Sequence, residues 1–127
     1  MIKIKKADHN DVQNLEDINV LAKDETGWWI PQKVEFYKKF LKNSYNEIQI
    51  AYENKKILGF ISMEINPERK SVWINDIYVI PDYRKKGVAK SLIERVLRDW
   101  KENSDSIVLL TADRNVQIFE KLGFKKT

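Results

Sequence analysis

The stretch Asp76-Ile77-Tyr78-Val79-Ile80-Pro81-Asp82-Tyr83-Arg84-Lys85-Lys86-Gly87-Val88-Ala89-Lys90-Ser91-Leu92 decides how the chain is read. An apolar run ends at Ile80, Pro81-Asp82 breaks it, and a long helix follows over about Lys86 to Glu102. Val88, Leu92, Val96 and Trp100 recur every four residues along that helix, with Ile93 and Leu97 beside them, so one face is apolar. A helix start exposes unpaired backbone N–H groups and a partial positive charge, which suits a phosphate. Gly87 puts no side chain in the way of such a ligand. Residues 84–101 carry seven basic side chains and two acidic ones, so the positive charge is concentrated here.

Working outward, Val72 to Ile80 read as a strand, Ile57 to Ile65 as its antiparallel neighbour, and Ile48 to Tyr52 as the strand before that. Asn66-Pro67-Glu68 and Glu53-Asn54-Lys55 supply the turns. Residues 2–7 alternate apolar and basic, as an edge strand does. Asp8 to Asn10 offer caps for a helix carrying Val12, Leu15, Ile18, Val20 and Leu21, ended by Thr26-Gly27. Pro31 is placed to open a second helix with an apolar face of Val34, Phe36, Tyr37, Phe40 and Leu41. After the long helix, Ile107 to Leu110 form a short strand. A short helix spans Asn115 to Leu122, with Gly123 at its end. The order β-α-α-β-β-β-α-β-α is that of an α/β fold with a mixed central sheet flanked by helices.

Composition bounds the rest. The chain has 127 residues, 43% hydrophobic and 33% charged, with a net charge of +4, which fits one globular domain over residues 1–127. Cysteine is absent, so disulfides, cysteine nucleophiles and cysteine-held metals are excluded. No apolar run reaches the roughly 20 residues that span a bilayer, and residues 1–6 make no signal peptide. The expectation is therefore a cytoplasmic protein with no membrane partner and no metal.

Residues 76–92 resemble the central motif of the GNAT N-acetyltransferase superfamily, Arg/Gln-x-x-Gly-x-Gly/Ala after a strand and a Pro-containing turn. Phe119-Glu120-Lys121-Leu122-Gly123-Phe124 resembles the family's later motif, an aromatic followed by Gly-Phe. The resemblance implies a GNAT-like fold in which two splayed strands hold acetyl-CoA, and transfer of its acetyl group to a primary amine of a small molecule or peptide by direct attack. It assigns the pyrophosphate to the backbone amides of Arg84, Lys85, Lys86, Gly87, Val88 and Ala89, with Lys90 beside them and phosphate charge also meeting Arg84 and Lys85. It gives the pantetheine to the backbone of Val79. A backbone N–H among Ile77, Tyr78 and Val79 would polarise the thioester. Asn115 and Phe119 would face the cofactor.

Deprotonating an ammonium calls for a carboxylate. Asp76 is the candidate base, with a structural carboxylate as the other reading. Asn75 stands where the polyamine-acetylating branch has Glu. The family's acid is a Tyr, and here Phe119 has no O–H, so the departing thiolate leaves unprotonated, takes a proton from water, or uses Tyr78 or Tyr83. Trp28 and Trp29, beside Asp24 and Glu25, either meet an amine cation or plug the core, and Trp73 has the same two readings. His9 sits at a helix start, where a cap or surface role is expected. The chain stops at Thr127, just after Gly-Phe, which implies a short or missing last strand and an edge open to a homodimer. Two rival readings are a non-catalytic acyl-CoA-binding regulatory domain and, ranked last, a basic nucleic-acid-binding module.

Overall fold

The structure, a computed structural model, describes residues 1–100, 102, 104–109, 116–121 and 123–125. The elements run β1 (Lys3–Lys6), α1 (Val12–Thr26), α2 (Val34–Lys42), β2 (Asn46–Glu53), β3 (Lys56–Asn66), β4 (Ser71–Val79), α3 (Val88–Trp100), β5 (Ser106–Leu109) and α4 (Val116–Lys121). This is the order expected from the sequence. The five strands lie side by side as β1-β2-β3-β4-β5. Pairing is antiparallel through β4 and parallel between β4 and β5. No strand follows α4 among the described residues.

Alternation sends side chains to two cores. Leu58, Phe60, Tyr78 and Ile80 join Leu15 and Ile18 of α1 and Tyr37 of α2 on one face. Ile61, Met63, Val72, Ile74 and Val79 meet Val88, Leu92, Ile93 and Val96 of α3 on the other. The tight β2–β3 hairpin has positive φ at Asn54 (50°) and Lys55 (69°), as its handed turn requires.

One irregularity positions the site. Ser62 pairs with Asp76 and Met63 with Ile74, so Asn75 is an extra residue bulging from β4. Counting back by two from Tyr78 puts Asp76 on the α1–α2 face, and counting back from Ile74 puts Trp73 there as well. A bulge is what lets both counts hold. The described β4–β5 pairing runs from Ser71–Ser106 to Ile74–Leu109. Asp76 to Val79 lie beyond it and have no β5 partner among the described residues.

Two helix starts differ from the sequence reading. The second helix begins at Val34 rather than Pro31, with extended Lys33 as its cap residue. The Val34 N–H donates to Glu16 Oε1 of α1 at 3.1 Å, so a contact across the fold sets the start that proline was expected to set. The long helix begins at Val88 rather than Lys86, because Lys85 (φ 62°) and Gly87 (φ 81°) are left-handed and no right-handed helix can include them.

Candidate active site

The loop from Ile80 to Gly87 joins β4 to α3. Pro81–Tyr83 make one turn of 3-10 helix, Arg84 N–H donates back to Pro81 O at 3.2 Å, and Ser91 N–H reaches Gly87 O at 2.9 Å as the first bond of α3. The N–H groups of Val88, Ala89 and Lys90 precede that first bond and have no partner within the helix. A Cβ built on Gly87 meets nothing within 4 Å, so the space in front of these donors is open. Lys85 and Lys86 are exposed beside it. Free amides, two left-handed residues, open space and two cations make this end fit a phosphate or pyrophosphate. Lys86, Gly87 and Ser91 also line an open cavity of about 540 Å³ that runs along α3 to Ile2 and Ile4. It lies on the β1 side of α3, away from β4 and Asp76.

Arg84 departs from the expected phosphate contact. Its guanidinium turns toward the other face, where it pairs with Glu25, donates from Nε to Val79 O at 3.0 Å and lies 5.4 Å from the centre of the Tyr78 ring. Its charge is thus met by Glu25 and its own N–H by Pro81, which leaves Lys85 and Lys86 as the cations of the loop. Of the Val79 backbone groups, the carbonyl accepts from Arg84. Gly59 allows this strand end to form: a Cβ there would stand 2.6 Å from the Tyr78 carbonyl oxygen.

On the α1–α2 face, Asp76 is exposed at the end of the bulge. Its carboxyl is nonetheless held above the usual aspartate range by desolvation, because the surrounding protein takes away part of the water that would stabilise the anion. No hydrogen bond or ion pair to this carboxylate is found among the described residues. Its charge is felt by Tyr37, whose hydroxyl is pushed up to about 12, mainly by burial. Glu25 is the opposite case, held below the usual glutamate range by its hydrogen bond from Arg84. Tyr78 donates to Glu25 Oε1 at 3.0 Å and is pushed up to about 12, chiefly by burial.

Buried Asn19 holds this face together. Its amide donates to Leu15 O at 2.7 Å and Tyr37 Oη at 2.8 Å. Its oxygen accepts from Trp29 Nε1 at 2.9 Å and Gln32 N–H at 3.0 Å. The tryptophan pair therefore divides. Trp29 is buried against Tyr78 and Phe60 and plugs the core, so it is withdrawn from the expected substrate contacts. Trp28 is 67% exposed and free to meet a ligand. Asn75 is exposed at the bulge. Phe119 lies against the α3 core and Phe124. Asn115 lies outside the described residues.

His9 lies in a short turn capped by Asp8. The described residues contain no metal-holding cluster and no helix long and apolar enough to cross a membrane. The Glu25–Arg84–Tyr78 cluster and the Asn19 network carried no sequence signal, since partners 59 and 18 residues apart share no motif.

Comparison with known proteins places this geometry. Residues 44–126 match the sequence profile of the acetyltransferase (GNAT) domain. An uncharacterized N-acetyltransferase ycf52 of Gracilaria tenuistipitata var. liui is 27% identical over 120 residues, 91% of this chain and 64% of the relative. The chain thus spans a little under two-thirds of that relative's length. A predicted acetyltransferase with acetyl-CoA from Clostridium acetobutylicum superposes with a TM-score of 0.78 at 23% identity, covering 100% of this chain and 92% of the other. An aminoglycoside acetyltransferase from an uncultured soil metagenomic sample does so with a TM-score of 0.81 at 17% identity, covering 100% and 93%.

Proposed function

Since the chain belongs to the GNAT acetyltransferase family, we propose that it binds acetyl-CoA at the β4–α3 junction and transfers the acetyl group to a primary amine. The observation that carries this reading is the pairing of an open helix start at Gly87 with a desolvated carboxylate at Asp76 that has no partner among the described residues, joined by a strand segment, Asp76 to Val79, that pairs with β3 and has no β5 partner among the described residues.

In this reading the N–H groups of Val88, Ala89 and Lys90 hold the pyrophosphate, and Lys85 and Lys86 neutralise it. Acetyl-CoA supplies an acetyl thioester. The strand segment Ile77 to Val79 orients it through backbone groups, and a strand N–H aimed at the carbonyl oxygen stabilises developing negative charge. Asp76 takes a proton from the acceptor ammonium, and its raised pKa brings it closer to the working range of a general base. The new bond is N–C, the broken bond is C–S, and coenzyme A leaves as thiolate. Tyr78 is committed to Glu25 and supplies no proton here, so the leaving thiolate takes its proton from Tyr83 or from solvent. The support for acetyl-CoA is the cradle together with family membership.

The test is a thiol-release assay with acetyl-CoA and a panel of amines. Asp76→Asn is expected to lower turnover about 10²- to 10⁴-fold near neutrality and less at high pH, where the amine is already deprotonated. A loss independent of pH makes Asp76 structural. Gly87→Trp fills the cradle and should abolish acetyl-CoA binding. Gly27→Trp carries the same left-handed strain, at φ 75°, and should leave that binding intact. Tight acetyl-CoA binding with no thiol released by any amine favours a non-catalytic acyl-CoA-binding role.

A further inference from the structure

Soluble domains bury large aromatic side chains, and a cluster left exposed around one charged group marks a binding surface. The face of the sheet that carries Asp76 has exposed aromatic groups. Trp73 lies on the same face of β4 and is 46% exposed. On the α1–α2 linker, Trp28 is 67% and Ile30 77% exposed. Phe36 of α2 is 43% exposed, with its ring 5.2 Å from Tyr37, the residue that feels the Asp76 charge. Trp28 connects to the strand through Trp29, 5.8 Å away, which lies 5.3 Å from Tyr78. The exposed aromatic groups thus come from β4, the α1–α2 linker and α2, on the face of the sheet that carries Asp76.

The α1–α2 segment carries more cations than anions, a balance that does not suit a polycation. Residues 23–42 carry five lysines (23, 33, 38, 39 and 42) against Asp24, Glu25 and Glu35, and Glu25 is already matched by Arg84. Glu64, opposite Trp73 in β3, adds a carboxylate beside Trp73, with Asp24 and Glu35 on the α1–α2 segment.

Resting on the acetyltransferase reading, we propose that the acceptor is a single primary amine carried on a flat apolar or aromatic body. The ammonium meets Asp76, the body lies against Trp73, Phe36 and Trp28, and polyamines and aminoglycosides are disfavoured by the lysines. Trp73 and Phe36 are then specificity-determining residues, and each aromatic contact contributes a factor of about 3 to 10 in affinity.

Calorimetric titration of the chain saturated with coenzyme A tests this without requiring turnover. The probes are 2-phenylethylamine, tryptamine, spermidine and kanamycin. The aromatic amines should bind at least about 10-fold more tightly than the polycations. Trp73→Ala should weaken the aromatic amines about 3- to 10-fold and leave coenzyme A affinity unchanged. Trp73→Leu, which keeps apolar area without the ring, should fall between. Tighter binding of spermidine or kanamycin overturns the proposal, as does binding of none of the four or an unaltered affinity in both variants. Turnover of polycations alone overturns it while upholding acetyl transfer. An aromatic preference with no thiol release defeats the catalytic reading and leaves an aromatic-amine binding surface without an acceptor role.

Discussion

The two faces of the sheet serve one strand by different means. Behind the β4–α3 loop, Leu92, Ile93 and Val96 pack against Ile61, Met63 and Val72, and the polar groups of that face, Glu47 and Gln49 with Asp99 and Trp100, lie at the far end of α3. This face positions backbone: its product is a helix start with free N–H groups, which any correctly sized apolar filling would hold in place. The α1–α2 face positions side chains. Asn19 fixes Trp29 and Tyr37, and Glu25 fixes Arg84 and Tyr78. A backbone site depends on volume being kept, whereas a side-chain site depends on each partner being present.

Near-isosteric swaps make the sharpest test of that contrast. Asn19→Leu leaves Trp29 Nε1, Gln32 N–H and the Tyr37 hydroxyl without their partner. At about 1–3 kcal/mol for each unsatisfied buried group, less what rearrangement recovers, the expected loss is about 3–5 kcal/mol. Leu92→Met on the apolar face keeps its volume and should cost less than about 1.5 kcal/mol. Urea denaturation measures both, and equal losses would erase the distinction between the faces.

A second test goes to β4, which the faces share. Gly59→Ala places a methyl group against the Tyr78 carbonyl, where the backbone has to move. About 1–3 kcal/mol of stability should be lost, and acetyl-CoA affinity should fall with it, because the displaced segment is the one proposed to orient the thioester. A variant destabilised to that extent with unaltered acetyl-CoA affinity would show that the cofactor site does not depend on the β3–β4 pairing.

The same contrast explains what the sequence could reveal. The strand and helix order was legible because alternation and four-residue spacing are local, and the open basic helix start beside Gly87 was legible because a helix signal, a glycine and a run of basic residues are contiguous. The start of α2 was not, since Val34 is held by Glu16 from another helix. Trp28 and Trp29 are identical neighbours in the sequence, and only the Asn19 bond decides that the second is buried. Arg84 belongs to a phosphate motif, yet its side chain is turned by a carboxylate 59 positions away. The bulge at Asn75 comes from strand register, which no single strand displays.

The smallest effect separates the two carboxylates of the side-chain face. Glu25 has a lowered pKa, so it contributes stability above its ordinary value of 4.5 and loses that contribution as pH falls through the lower folded value. Asp76 has a raised pKa. The native state holds its proton longer than the unfolded chain does, so stability falls as pH rises from the ordinary 3.8 through the raised folded value, and the ionised carboxylate is a net cost at neutrality. At pH 7, Glu25→Gln should therefore lower the melting temperature by the equivalent of no more than about 1 kcal/mol, since both partners are partly exposed and screened. Asp76→Asn should raise it slightly. Both differences should vanish in acid, below the lower pKa of each pair. High salt should shrink the Glu25 effect, a paired charge, more than the Asp76 effect, which arises from desolvation. Melting curves from pH 3 to 8 check the signs, and a loss of stability at pH 7 in both variants would place Asp76 among the structural carboxylates. A residue whose removal stabilises the fold while abolishing turnover is retained for its chemistry. Glu25 is expected to show the reverse balance.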